Sequence, residues 1–122
     1  MGQSKWTVEF YIKSNNNRCP TEEFLDKLSK PELVLIESAI DRLSEHGHNL
    51  KRPHADYLRD DVYELRVKTN QGKYRLFYFF FDGSKIIITH GYKKKTARVR
   101  DQEIDKAIEF RKDYLSKNKR KT

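Results

Sequence analysis

The sequence predicts an α+β domain: a small twisted antiparallel sheet, preceded by a helical pair and followed by one helix. Three observations predict it. The runs "YRLFYFFF" (Tyr74–Phe81) and "KIIIT" (Lys85–Thr89) are the two most strand-like stretches, and only "DGS" separates them. Apolar residues at helical spacing precede them, at Leu33, Ile36, Ile40 and Leu43, and follow them, at Ile104, Ala107, Ile108 and Leu115. The 122 residues suffice for one modest core, and seven Phe, seven Tyr and Trp6 supply its bulk.

Taken in order, "WTVEFYI" (Trp6–Ile12) alternates as a strand does, and "SNNNRCP" is loop. Thr21 is expected to cap a short helix, with Glu22 and Glu23 in a first turn whose dipole favours acids. Phe24, Leu25 and Leu28 give that helix an apolar face. Ser29 to Glu32 reads S-x-x-E, a capping box, with Pro31 in the first turn, where its missing N–H costs little. Gly47 is the expected stop of this second helix.

After a loop near Pro53, "DVYELRVK" alternates, with Tyr63, Leu65 and Val67 on one side and Glu64, Arg66 and Lys68 on the other. "NQGK" is a turn signal. "YRLFYFFF" is apolar on both faces, as suits a central strand, "DGS" is a tight hairpin, and "KIIITHGY" returns. The meander has three or four strands. Asp101 is expected to cap the last helix. Helices gathered on one face of such a sheet leave the other face for polar work. Residues 1–116 are expected to form one domain and 117–122, "KNKRKT", a basic disordered tail.

The net charge of +8 is unevenly spread. Residues 1–60 hold 9 Lys/Arg against 10 Asp/Glu, whereas residues 61–122 hold 17 against 8. A positive field confined to one half attracts phosphate backbones through counterion release; the plainer reading is a solvated basic surface. The single cysteine, Cys19, excludes an internal disulfide framework and suits a reducing compartment. No Cys/His spacing suggests a metal site, no cofactor is implied, and no apolar leader or membrane span is legible, so a soluble cytoplasmic protein is expected.

Two places hold chemistry-bearing residues against this background. Arg75 interrupts the most apolar strand and requires a partner, either a carboxylate such as Glu64 on the neighbouring strand or a ligand phosphate. His90 and Tyr92 alternate, and on periodicity share a side with Ile86 and Ile88. A lone histidine after apolar residues is more often structural. Lys93, Lys94 and Lys95 follow, either as an edge that discourages sheet pairing or as the lip of a polyanion site. Cleaving RNA without a metal needs a base for the 2′-OH, cations for the phosphorane-like transition state and an acid for the 5′-oxygen. Arg, Lys, His, Tyr and Glu here offer all three without assigning them.

The stretch "VYELRVKTNQGKYRLFYFFFDGSKIIITHGYKKKT" closely resembles the HigB-like branch of the RelE/ParE toxin superfamily, which has phage-derived members. The likeness rests on "ELR", on "YRLFYFF", on the "DG" hairpin and on "HGYKKKT", and extends from "LSEHG" to "EIDKAIEFRKDYL". It implies a RelE-like fold and a type II toxin that enters the ribosome and cuts mRNA there. A cognate antitoxin, commonly of helix-turn-helix type, would neutralise it. Carried over by position, Arg66 is a basic residue of the active site, Arg75 contacts the reacting phosphate, and Lys93 is near the basic residue that follows Gly91. The tail tyrosine of RelE toxins has no counterpart in "TARVRDQ", and the C-terminal acidic–Tyr–His cluster of another HigB pattern is absent. Tyr92, His90 or a lysine stands in for it. The resulting candidates are Arg66, Arg75, His90, Tyr92 and Lys93 for catalysis, and Lys68, Lys73, Lys94 and Lys95 for RNA. The alternatives are a ParE-like gyrase poison and an inactive relative that binds antitoxin.

Overall fold

The computed structural model describes residues 6–95 and 101–118. The elements are β1 (Thr7–Phe10), α1 (Pro20–Leu25), α2 (Lys30–His46), β2 (Ala55–Arg59), β3 (Val62–Thr69), β4 (Gly72–Phe81), β5 (Lys85–Lys94) and α3 (Asp101–Lys117). The fold is α+β, with a five-stranded, mostly antiparallel sheet in the order β1-β5-β4-β3-β2. β2 to β5 form the meander, and β1 joins β5 in parallel from Thr7↔Lys85 to Phe10↔Ile88. α3 runs through Lys117, whose Nζ donates to the Ile12 carbonyl at 2.6 Å, and the rest of the expected tail lies outside the described residues from 119 onward.

Helices cover both faces, which corrects the expectation of a one-sided arrangement. Tyr74, Leu76 and Tyr78 of β4 meet Ile36, Ala39 and Leu43 of α2. Phe77 and Phe79, on the opposite face, lie under α3 with Ile104, Ala107 and Tyr114. The reason is in β4 itself: a strand apolar on both faces needs two covers, and each fully buried Phe or Leu is worth roughly 1.5–3 kcal/mol. α3 meets this face around Val62, Phe77 and Phe79, with Tyr92 packed against the same cluster.

The capping box forms as expected. Ser29 N–H donates to Glu32 Oε1 at 2.8 Å and Glu32 N–H to Ser29 Oγ at 3.3 Å, while Gly47 ends α2 at φ 50°. Glu32 also accepts a hydrogen bond from the Tyr74 hydroxyl, which ties the helix start to the sheet. Thr21 does not cap α1: Cys19 holds that position, and the Thr21 hydroxyl donates to Ile88 O at 3.3 Å. That bond sets α1 beside β5 just where β1 stops pairing.

Two local features have no plain signal in the sequence. β2 turns into β3 at Asp60–Asp61, with φ of 52° and 67° and no glycine to announce the turn; aspartate tolerates this left-handed region better than most residues. A bulge between Phe77↔His90 and Tyr78↔Ile88 leaves Thr89 as an extra residue in β5. The extra residue reverses the alternation. Ile86 and Ile88 face α2, whereas His90 and Tyr92 face the α3 side, so the expected sharing of one side is corrected.

Candidate nucleic-acid interface

The bulge and the strand register assemble a ladder on the α3 side of the sheet. Glu64, Phe77 and His90 form one row across β3, β4 and β5. Arg66, Arg75 and Tyr92 form the next, and Lys68, Lys73 and Lys94 the last, beside the β3–β4 turn. Directly opposed like charges destabilise a sheet, so five cations in two adjacent rows require a counter-charge.

Glu64 supplies part of it. This carboxylate is 2% exposed and bridges both arginines, with Oε2 2.9 Å from Arg66 Nε and Oε1 3.2 Å from Arg75 Nε. Asp56 on β2 adds a contact to Arg66 Nη2 at 3.3 Å. Asp56 is itself held below the usual carboxylate range, chiefly by the hydrogen bond from Arg52. Arg75 therefore has the protein carboxylate that its burial demanded. The pairing is incomplete: Arg75 Nη1 donates to Tyr74 O at 3.1 Å, but Nε and Glu64 Oε1 are close without the alignment of a hydrogen bond, and both atoms are buried. Lys68 and Lys73 are exposed and make no ion pair among the described residues.

Lys94 joins this face at partial burial. Burial first, then the charge of Arg75, pushes its ammonium below the ordinary lysine range; Lys73 and Arg66 add to the push and Glu64 opposes it. The sequence offers Lys94 as an RNA-binding candidate; its position one row from Arg75 becomes visible only once the register is known. Asp56 was missed for a similar reason, since β2 was not recognised as a strand.

His90 is placed differently. It is 4% exposed, stacks on Phe77 at 4.9 Å and meets Phe110 edge-on. Nε2 lies 2.9 Å from Glu103 Oε1 and Nδ1 3.1 Å from Thr89 Oγ1, so both ring nitrogens are engaged. Burial lowers its pKa, and Glu103 opposes that shift. Tyr92 stacks on Phe77, the rings within 6° of parallel, and bridges the His90 environment to the Arg75 row.

Lys93 is not brought to this face. It pairs with Tyr74, and its Nζ lies 5.9 Å from the Tyr74 ring, on the α2 side. With Lys95 it lines a cleft of about 1000 Å³ that wraps the β5 edge beside α1, where Phe24 packs so closely that a Cβ on Gly91 would stand 2.8 Å from its ring. The same cleft is lined by His90 and Tyr92, so it meets the ladder along β5.

The family model described as "Phage derived protein Gp49-like (DUF891)" matches residues 23–112, from α1 to most of α3. The chain belongs to this family. No curated protein in the comparison matches it significantly. The match spans every residue of the Gp49-like ladder, Glu64 to Lys94, and leaves β1 outside. No helix of this Gp49-like chain, among the described residues, is long and apolar enough to cross a membrane. Nor does any group of three or more His, Cys, Asp or Glu among them sit where it would hold a metal ion.

Proposed function

We propose that this Gp49-like protein is the toxin of a type II toxin–antitoxin pair, a HigB-type endoribonuclease that cuts mRNA on the ribosome. The observation that carries the reading is the alignment of Arg66, Arg75 and Tyr92 across three adjacent strands, with Lys94 in the next row. Guanidinium groups rooted in a rigid sheet suit a phosphate whose negative charge grows in the transition state, since no reorganisation is needed when that charge appears. Arg75 has a buried N–H without an aligned acceptor, which a phosphate oxygen would satisfy. Lys94, depressed by burial and Arg75, is the base that takes the 2′-OH proton. The 2′-oxygen then attacks phosphorus, the bond to the 5′-oxygen breaks, and Tyr92 protonates that leaving oxygen. The products are a 2′,3′-cyclic phosphate and a 5′-hydroxyl. The ribosome's part is to hold the message in line for attack. A helix-turn-helix antitoxin is the partner that would cover this face.

The test is induced expression with mapping of mRNA ends. Growth arrest with new ends inside translated codons supports the reading, and loss of both on Arg75→Ala in a folded protein assigns the residue. Arrest with intact messages would overturn it in favour of a gyrase-directed toxin, which a supercoiling assay on purified protein would reveal.

A further inference from the structure

Past the last β2 contact the edge of β3 opens into a groove of about 510 Å³ against α2. Pairing ends at Ala55↔Leu65, and Arg66 N–H donates to His54 O at 2.8 Å, so the strand beyond runs on without β2. α2 presents Ser38 and Ala39 here, side chains small enough to leave the space, with Leu35 nearly half exposed at the rim.

The charged lining is all of one sign. Arg42, Arg66, Lys68, Lys73 and Arg75 line the groove with His54, and no Asp or Glu lines it among the described residues. Arg42 stands apart from the other described arginines. Arg18, Arg52, Arg59, Arg66, Arg75 and Arg111 each have a carboxylate partner. Arg42 has none among the described residues; its Nη1 lies 3.3 Å from His54 Nδ1, which accepts only while that nitrogen carries no proton. Its charge is thus held in place but not neutralised. The groove also shares Arg66, Arg75, Lys68 and Lys73 with the ladder, so the two surfaces are continuous.

We infer that this groove carries the backbone of a single-stranded polynucleotide flanking the phosphate bound at the Arg66–Arg75 row. This rests on the proposed function only for the identity of that central phosphate. A polynucleotide fits better than an acidic peptide because the cations continue without a break from the α2 side over the β3 edge to the ladder, as a chain of regularly spaced phosphates requires. The groove residues make backbone contacts, so they set affinity and register rather than sequence preference.

The experiment is equilibrium binding of purified full-length protein to short, fluorescein-labelled, 2′-O-methylated single-stranded RNAs of different sequence, over a salt series. Such RNA cannot be cut, so the readout does not need toxicity. Arg42→Ala should weaken binding several-fold for every sequence alike and lower the salt slope by about one. Ser38→Glu, a good helix former at an exposed helix position, should weaken it further. Lys112→Ala, on the outer side of α3, should bind as the parent does. Parent-like affinity and slope in both groove variants would overturn the inference, as would loss confined to one sequence or an absence of RNA binding by the parent. Translation arrest with RNA binding that ignores Arg42 and Ser38 would sink the groove alone. Groove-dependent RNA binding without arrest would sink the toxin reading and leave the groove standing.

Discussion

His90 and Arg75 are neighbours on one sheet face, in adjacent rows of the same two strands, and almost equally buried at 4% and 7% exposure. Their surroundings differ in kind. His90 lies between Phe77 and Phe110 with both ring nitrogens engaged. Arg75 lies among Arg66, Tyr92 and Lys94, with a buried N–H that lacks an aligned acceptor. Equal burial thus goes with unequal completeness of polar contacts, full at His90 and partial at Arg75. On the proposed function, that difference assigns His90 to the fold and Arg75 to a phosphate.

The largest expected effect falls on the residue joining these two surroundings. Phe77 is fully buried and stacks on both His90 and Tyr92. Phe77→Ala should cost about 3–5 kcal/mol in urea unfolding and abolish activity as well. A loss confined to one of the two would mean that they are independent. Next is Glu64→Ala, which leaves two guanidinium groups opposed without their shared carboxylate. About 3 kcal/mol of destabilisation is expected for a broken buried pair. If Glu64→Ala were neutral, the pair would contribute nothing to holding the arginines.

Gly72→Ala probes the lysine that the fold places elsewhere. Gly72 has φ 147°, and a Cβ there would stand 2.7 Å from Lys93 Cε. A cost of about 1–3 kcal/mol is expected from the strained backbone, with Lys93 displaced. Cleavage by the remaining folded protein should persist, because Lys93 lies on the α2 side; its loss would return Lys93 to the reaction.

The smallest effect is on pH dependence. Burial, reinforced by Lys106 and opposed by the hydrogen bond and charge of Glu103, lowers the folded-state pKa of His90. The unfolded chain then binds the proton more readily, so stability should fall as pH drops below about 6.5. The depressed carboxyl of Glu103 contributes stability that is lost only at lower pH, as pH falls through its own range. Between pH 7.5 and pH 5.5, therefore, the urea midpoint should fall more in the parent than in His90→Gln. Equal slopes would show that His90 does not titrate in this window.

Much of this arrangement was legible in the residues. The capping box, the Gly47 stop, the alternation from Tyr63 to Lys68 and the doubly apolar β4 depend on local chemistry, and all appear where the sequence placed them. The likeness carried by "ELR", "YRLFYFF" and "HGYKKKT" led to the same strands that the Gp49-like match covers. What was not legible depends on register. A single extra residue at Thr89 moves His90 and Tyr92 to the opposite face, and nothing in "KIIITHGY" marks it. β1's parallel pairing joins segments about eighty residues apart. The grouping of Arg66 with Arg75, and the separation of Lys93 from both, likewise follows from which strands are neighbours.

The central claim is that Arg75 serves a phosphate while His90 serves the fold. The most direct measurement pairs urea unfolding with mRNA-end mapping for Arg75→Lys and His90→Gln. Arg75→Lys keeps the charge but loses the fork; it should stay close to parental stability and lose cleavage by at least about 100-fold, since the lost contact is one made in the transition state. His90→Gln should unfold at lower urea yet cut messages at the parental rate under conditions where it is folded. A cleaving Arg75→Lys, or a stable His90→Gln that no longer cleaves, would contradict the account.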